Sequence, residues 1–124
     1  MYIDKPIFIL IKEALEDDII SDKFKAGELL ISTTSIARLY GVNPATAVKS
    51  VGLLTAEGIT FKKRGIGMCI TQNAKNIIIA RRRKELLTTV IGEVVGEATK
   101  LGISPAELTE SIGTHFEEQK GDRT

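Results

Sequence analysis

Apolar positions recur at helical spacing along most of the chain, interrupted once by two short apolar runs. Over residues 6–21, Phe8, Ile11, Leu15 and Ile19 form one stripe with Ile7 and Ala14 beside it, while Lys12, Glu13, Glu16 and Asp17 take the polar side, which predicts a first helix. Residues 24–30 read as a turn with Gly27 at the bend, followed by a short apolar piece. Residues 32–58 predict two short helices joined by a tight turn. Ser32 caps the first, Ile36, Ala37 and Leu39 give its apolar side, and Gly41 is the residue type that ends a helix in the left-handed conformation. Asn43 caps the second, with Pro44 at its first position, where the missing amide proton has no helical partner to lose. Ala47, Val51 and Leu54 face inward and Gly58 closes the helix, leaving Asn43, Ala45, Thr46 and Lys49 on its outer, N-terminal side.

Residues 59–63 and 68–71 are the two short apolar runs. They flank Arg64-Gly65-Ile66-Gly67, a hairpin signal with two glycines available for positive φ. A basic ribbon carrying Lys62, Lys63 and Arg64 directly after a helix-turn-helix is the layout of a winged helix, whose wing lies on the phosphate backbone or in the minor groove. Beyond residues 72–73, the stretch 76–101 reads as one long helix with Leu87, Val90 or Ile91, Val94, Ala98 and Leu101 repeating at four and three. Ser104-Pro105-Ala106-Glu107 opens a last helix with a capping box, and Leu108, Ile112 and Phe116 line one of its faces. Two such helices leave apolar surface over after packing on each other, so a dimer partner is the simplest cover.

The expected fold is therefore mainly α with a small β-hairpin. A winged helix-turn-helix DNA-binding domain occupies residues 1–72, and a two-helix dimerisation segment, with room for an effector response, occupies 73–124. Gly92 and Gly96 in the long helix suggest a close helix crossing at or near the dimer interface, since each costs roughly 0.8–1 kcal/mol relative to Ala.

The chain resembles the GntR-type bacterial transcription regulators, and within them the YtrA-like subgroup with a short C-terminal part. The matching pieces are Lys5-Pro6-Ile7-Phe8, the stretch FKAGELL at 24–30, Ile36-Ala37, Gly41-Val42-Asn43-Pro44, Thr46, Lys49, Ala56-Glu57-Gly58-Ile59 and KRGIGM at 63–68. They cover residues 5–71 in order and without insertion. The resemblance implies a homodimer that binds a double-stranded DNA operator. Many relatives carry Pro-Ser-x-Arg where this chain has Ile31-Ser32-Thr33-Thr34, so the bidentate guanidinium contact to guanine is lost at Thr34 and the operator should differ. Cys69 replaces an aromatic that is usual in the wing and reads as a small buried apolar residue.

The expected DNA contacts are Ser32, Thr33, Thr34, Asn43, Pro44, Ala45, Thr46, Lys49, Lys62, Lys63, Arg64, Gly65 and Gly67. The expected dimer interface is Leu87, Val90, Ile91, Val94, Ala98, Leu101, Leu108, Ile112 and Phe116.

Charge narrows the picture. The net charge is only +1, so any electrostatic footprint on DNA must be local. The densest run, Arg81-Arg82-Arg83-Lys84, reads either as a solvated helix surface or as a phosphate contact of at most two side chains. A single cysteine fits a reducing cytoplasm, and no apolar run reaches membrane-spanning length. His115 near Glu118 lacks companions at ligand spacing, so no metal or other cofactor is expected. No nucleophile with a base partner and no phosphate-cradling loop ahead of a helix points to an enzyme. The function expected is a sequence-specific transcription regulator, a repressor at a near-palindromic operator; the alternative is a winged-helix protein-interaction module. An effector, unidentified by the sequence, has room in a site shared at the dimer interface.

Overall fold

The computed structural model describes residues 4–122. Its elements in order are α1 (Ile7–Ile20), α2 (Thr33–Tyr40), α3 (Pro44–Ala56), β1 (Thr60–Lys63), β2 (Gly67–Ile70), α4 (Ala74–Glu85), a π-helical turn (Leu86–Val90), α5 (Ile91–Lys100) and α6 (Pro105–Asp122). The chain divides into two compact units, Met1–Arg82 and Arg83–Thr124. Residues 73–82, expected to open the C-terminal segment, instead pack on the first unit through Ala74 and Ile78, both buried.

In the first unit, Ile11, Leu15 and Ile19 of α1 meet Ile36 and Ala37 of α2 and Ala47, Val51 and Leu54 of α3. Leu39, expected on the apolar side of α2, is 69% exposed. The inward row of so short a helix is filled by Ile36, Ala37 and the half-buried Tyr40, which leaves Leu39 on another face. The caps form as the residue types dictate. Ser32 Oγ accepts from Ser35 N at 3.1 Å, Asn43 Oδ1 accepts from Ala45 N at 2.9 Å, and Gly41 takes φ +64°. Ser50 is buried yet satisfied, its hydroxyl donating to Phe8 O at 2.8 Å and so tying α3 to α1.

β1 and β2 pair antiparallel in the register Thr60↔Ile70 to Lys63↔Gly67. The segment 27–30 does more than space helices. Leu30 N donates to Met68 O at 2.9 Å and Ile70 N to Glu28 O at 2.9 Å, so this segment lies along the other edge of β2. Cys69 is buried there, 3% exposed.

In the second unit, Val94, Ala98, Ile103 and Leu108 line a notch of about 310 Å³ within the unit. Ser104 Oγ caps α6 by accepting from Glu107 N at 3.1 Å. The expected single long helix is interrupted by the π-helical turn, whose Leu86 and Leu87 are 52% and 62% exposed. A Cβ built at Gly92 or Gly96 would meet nothing within 4 Å, so no close approach inside this chain explains either glycine. Among the described residues, no helix is long and apolar enough to cross a membrane.

Candidate nucleic-acid interface

α3 turns Ala47, Ser50, Val51 and Leu54 inward. The opposite row is Ala45, Val48, Lys49, Gly52 and Ala56, all exposed. Lys49 therefore stands on the outward face as expected, with its Nζ 3.9 Å from the centroid of the Phe8 ring. Thr46 is half-buried at the edge of that face, and Val48, which the sequence pattern does not single out, is 57% exposed on it. The stagger of one residue is readable in principle, because the positions opposite an inward row at 47, 50, 51 and 54 are 45, 48, 49 and 52.

The wing is joined to α3 by a short connection. Ile59 N donates to Leu54 O at 2.9 Å, and the hydroxyls of Thr55 and Thr60 lie 2.9 Å apart. At the wing tip Gly65 adopts φ +77° and Ile66 N donates to Lys63 O at 3.0 Å, closing the turn. Lys62, Lys63, Arg64 and Gly65 are exposed and Gly67 is half-buried. Among the described residues, no ion pair engages Lys49, Lys62, Lys63 or Arg64, whereas Lys12, Lys75, Arg81 and Arg82 of the same unit are all paired. Ser32 and Thr34 are exposed around the start of α2 and Thr33 is half-buried, with the Ser32 hydroxyl used as the cap. Asn43, Pro44 and Ala45 are exposed at the start of α3.

The first half of the Arg81–Lys84 run departs from the expected solvated surface. Arg81 and Arg82 turn back onto α1. Glu16, 0% exposed, accepts from Lys12 at 3.0 Å, from Arg82 at 3.0 Å and, in a short contact, from Arg81. Lys12 also pairs with Glu57 at 3.0 Å, and Arg82 with Asp17 at 2.6 Å. Lys12 and Glu16 thus leave the polar side of α1 for the interior, because cations some 65 residues later neutralise the carboxylate. Burial lowers the pKa of the Arg82 guanidinium, but the hydrogen bonds it donates to Asp17 and Glu16 outweigh it and hold the group above its usual value. Arg83 and Lys84 remain exposed.

The assembly is a helix-turn-helix whose second helix and wing share one unit and expose Lys49, Lys62, Lys63 and Arg64. No family model matches the chain. The HTH-type transcriptional regulator YhcF of Bacillus subtilis is 26% identical over 113 residues, covering 91% of this chain and 92% of that protein. The HTH-type transcriptional repressor YtrA of the same organism is 25% identical over 118 residues, covering 95% and 90%. A crystal structure from Bacteroides thetaiotaomicron, assigned to the GntR family of transcriptional regulators, superposes with a TM-score of 0.73 at 26% identity over 92% of this chain and 99% of its own. The chain is related to the GntR-type transcription regulators. Its relatives are regulators of transcription rather than enzymes. Like a GntR-type winged helix, it is mainly helical with a two-stranded antiparallel hairpin.

Proposed function

We propose that the chain is a sequence-specific DNA-binding transcription regulator, working as a homodimeric repressor at a near-palindromic operator. The observation that carries this reading is the cation set of Lys49 on α3 and Lys62, Lys63 and Arg64 on the wing, all exposed and without an ion pair among the described residues, in a unit where Lys12, Arg81 and Arg82 are paired. In the proposed complex, α3 enters the major groove with Lys49 toward phosphate or a base edge, Ser32 and Thr34 contact the backbone, and the wing lies alongside. Similarity to YtrA, a repressor, supports the sign of the regulation.

The second unit supplies the proposed dimer. Leu87, Leu101, Ile112 and Phe116 are 62%, 69%, 41% and 65% exposed, apolar surface that this chain does not cover. A two-fold interface uses each residue twice. Losing roughly 2 kcal/mol of apolar burial per side chain then costs about 4 kcal/mol per substitution, on the order of a thousandfold in dimer dissociation. Phe116→Asp should convert the protein to a monomer at micromolar concentration in sedimentation velocity, and operator affinity should fall with it. Helix content by circular dichroism should stay unchanged, because Phe116 belongs to no core of its own chain. A variant that remains dimeric would remove α6 from the interface.

A further inference from the structure

We propose that Val48 reads the 5-methyl group of a thymine in the major groove, making it a specificity residue of the operator contact; the inference rests on the DNA-binding function proposed above. On the outward row of α3, Lys49 is the only side chain able to hydrogen-bond, and the Asn43 carbonyl at the helix start is occupied by Ala45 N at 2.9 Å. A helix so poor in polar groups cannot recognise bases chiefly through the donor and acceptor pattern of the groove. What it presents is one branched apolar side chain, 57% exposed, with Ala45 beside it and, one turn on, Gly52, where even an added Cβ would touch nothing within 4 Å.

An exposed β-branched residue lowers helix propensity, and Val48 is not part of the unit's core. The apolar feature of the major groove is the thymine methyl. Val48 has the shape to meet it, and the small residues around it allow the helix to come close. Lys49 next to it, with the wing cations of the same unit, sets the helix against phosphate and fixes the register in which Val48 arrives.

The test uses the duplex enriched by the purified protein from a random pool, with each thymine replaced in turn by deoxyuridine, which lacks only the methyl. Binding is measured by fluorescence anisotropy for the unaltered protein, Val48→Ala and Val48→Thr. One thymine per half-site should be sensitive, deoxyuridine there weakening the unaltered protein by about fourfold, the factor for one methyl's worth of burial. Val48→Ala should bind the thymine and deoxyuridine duplexes alike at that position, and Val48→Thr, which keeps one methyl, should still discriminate. Val48 is exposed, so neither variant should unfold at a markedly lower temperature than the unaltered protein. Equal binding of every deoxyuridine duplex by the unaltered protein would overturn the inference while leaving the DNA-binding function standing, as would undiminished discrimination by Val48→Ala. Failure to enrich any duplex would overturn the function itself and the inference with it.

Discussion

Glu16→Ala should destabilise the first unit by about 3 kcal/mol in urea unfolding, the lower end of the cost of breaking a buried ion pair. The Glu16 side chain is 0% exposed and accepts from three cations at once. Removing it leaves the Lys12 ammonium, whose side chain is 7% exposed, with Glu57 alone at 3.0 Å. Arg82 keeps Asp17 at 2.6 Å and the carbonyl of Glu13 at 2.8 Å, and it is 28% exposed, so water can take over part of its solvation. These residual contacts hold the loss near the bottom of the range.

Asp17→Ala gives the contrast. Its carboxylate is 68% exposed, and the change should cost less than about 1 kcal/mol. The pair of variants separates a buried anchor from a surface ion pair. Amide hydrogen exchange should rise over residues 74–82 in Glu16→Ala, since Arg81 and Arg82 fasten α4 to α1 through that carboxylate. A variant within about 0.5 kcal/mol of the unaltered protein would mean that desolvation of Glu16 cancels the attraction.

Lys49→Ala and Arg64→Ala should each weaken operator binding by about tenfold, and each should lower the steepness of the salt dependence by roughly one counterion. The contact of Lys49 with the Phe8 ring does not oppose this. At an exposed site it is worth about 0.5–1 kcal/mol, less than a charge-assisted contact to phosphate or guanine, so the side chain is free to leave the ring when DNA arrives. Lys49→Ala should accordingly cost the free protein less than about 1 kcal/mol of stability, while Arg64→Ala at the wing tip should cost nothing measurable. Filter binding across a salt series reads the affinity and the slope together. Unchanged slopes in both variants would place the phosphate contacts elsewhere.

The parts of this architecture that depend on neighbours in sequence are legible in the amino-acid order itself. Ser32, Gly41, Asn43 and Pro44 bound α2 and α3 because caps and left-handed glycines act within a few residues, and the Gly65 turn fixes the wing for the same reason. The parts that depend on distant partners are not. Lys12 and Glu16 read as solvated because the partners that allow their burial, Glu57 for Lys12 and Arg81 and Arg82 for Glu16, are far along the chain, and the arginine run looks like surface until Glu16 is placed against it. The pairing of 27–30 with β2 is likewise non-local, and so is the burial of Ala74 and Ile78, which moves the division between units to Arg82 and Arg83. The π-helical turn at Leu86–Val90 falls where the apolar repeat is ambiguous, Val90 and Ile91 both fitting it, and that ambiguity alone does not name a π-turn. Within the candidate site, polar character alone points to Asn43, Thr46 and Lys49 and misses Val48, whose place on the outward face follows only from its position opposite the buried row.

Selection of bound duplexes from a random DNA pool by the purified protein tests the central claim most directly. The account predicts enrichment of an inverted repeat whose half-sites each contain a required thymine, and loss of that enrichment when Lys49→Ala and Arg64→Ala are combined. A pool that stays random even at low salt, with the protein folded, would contradict it.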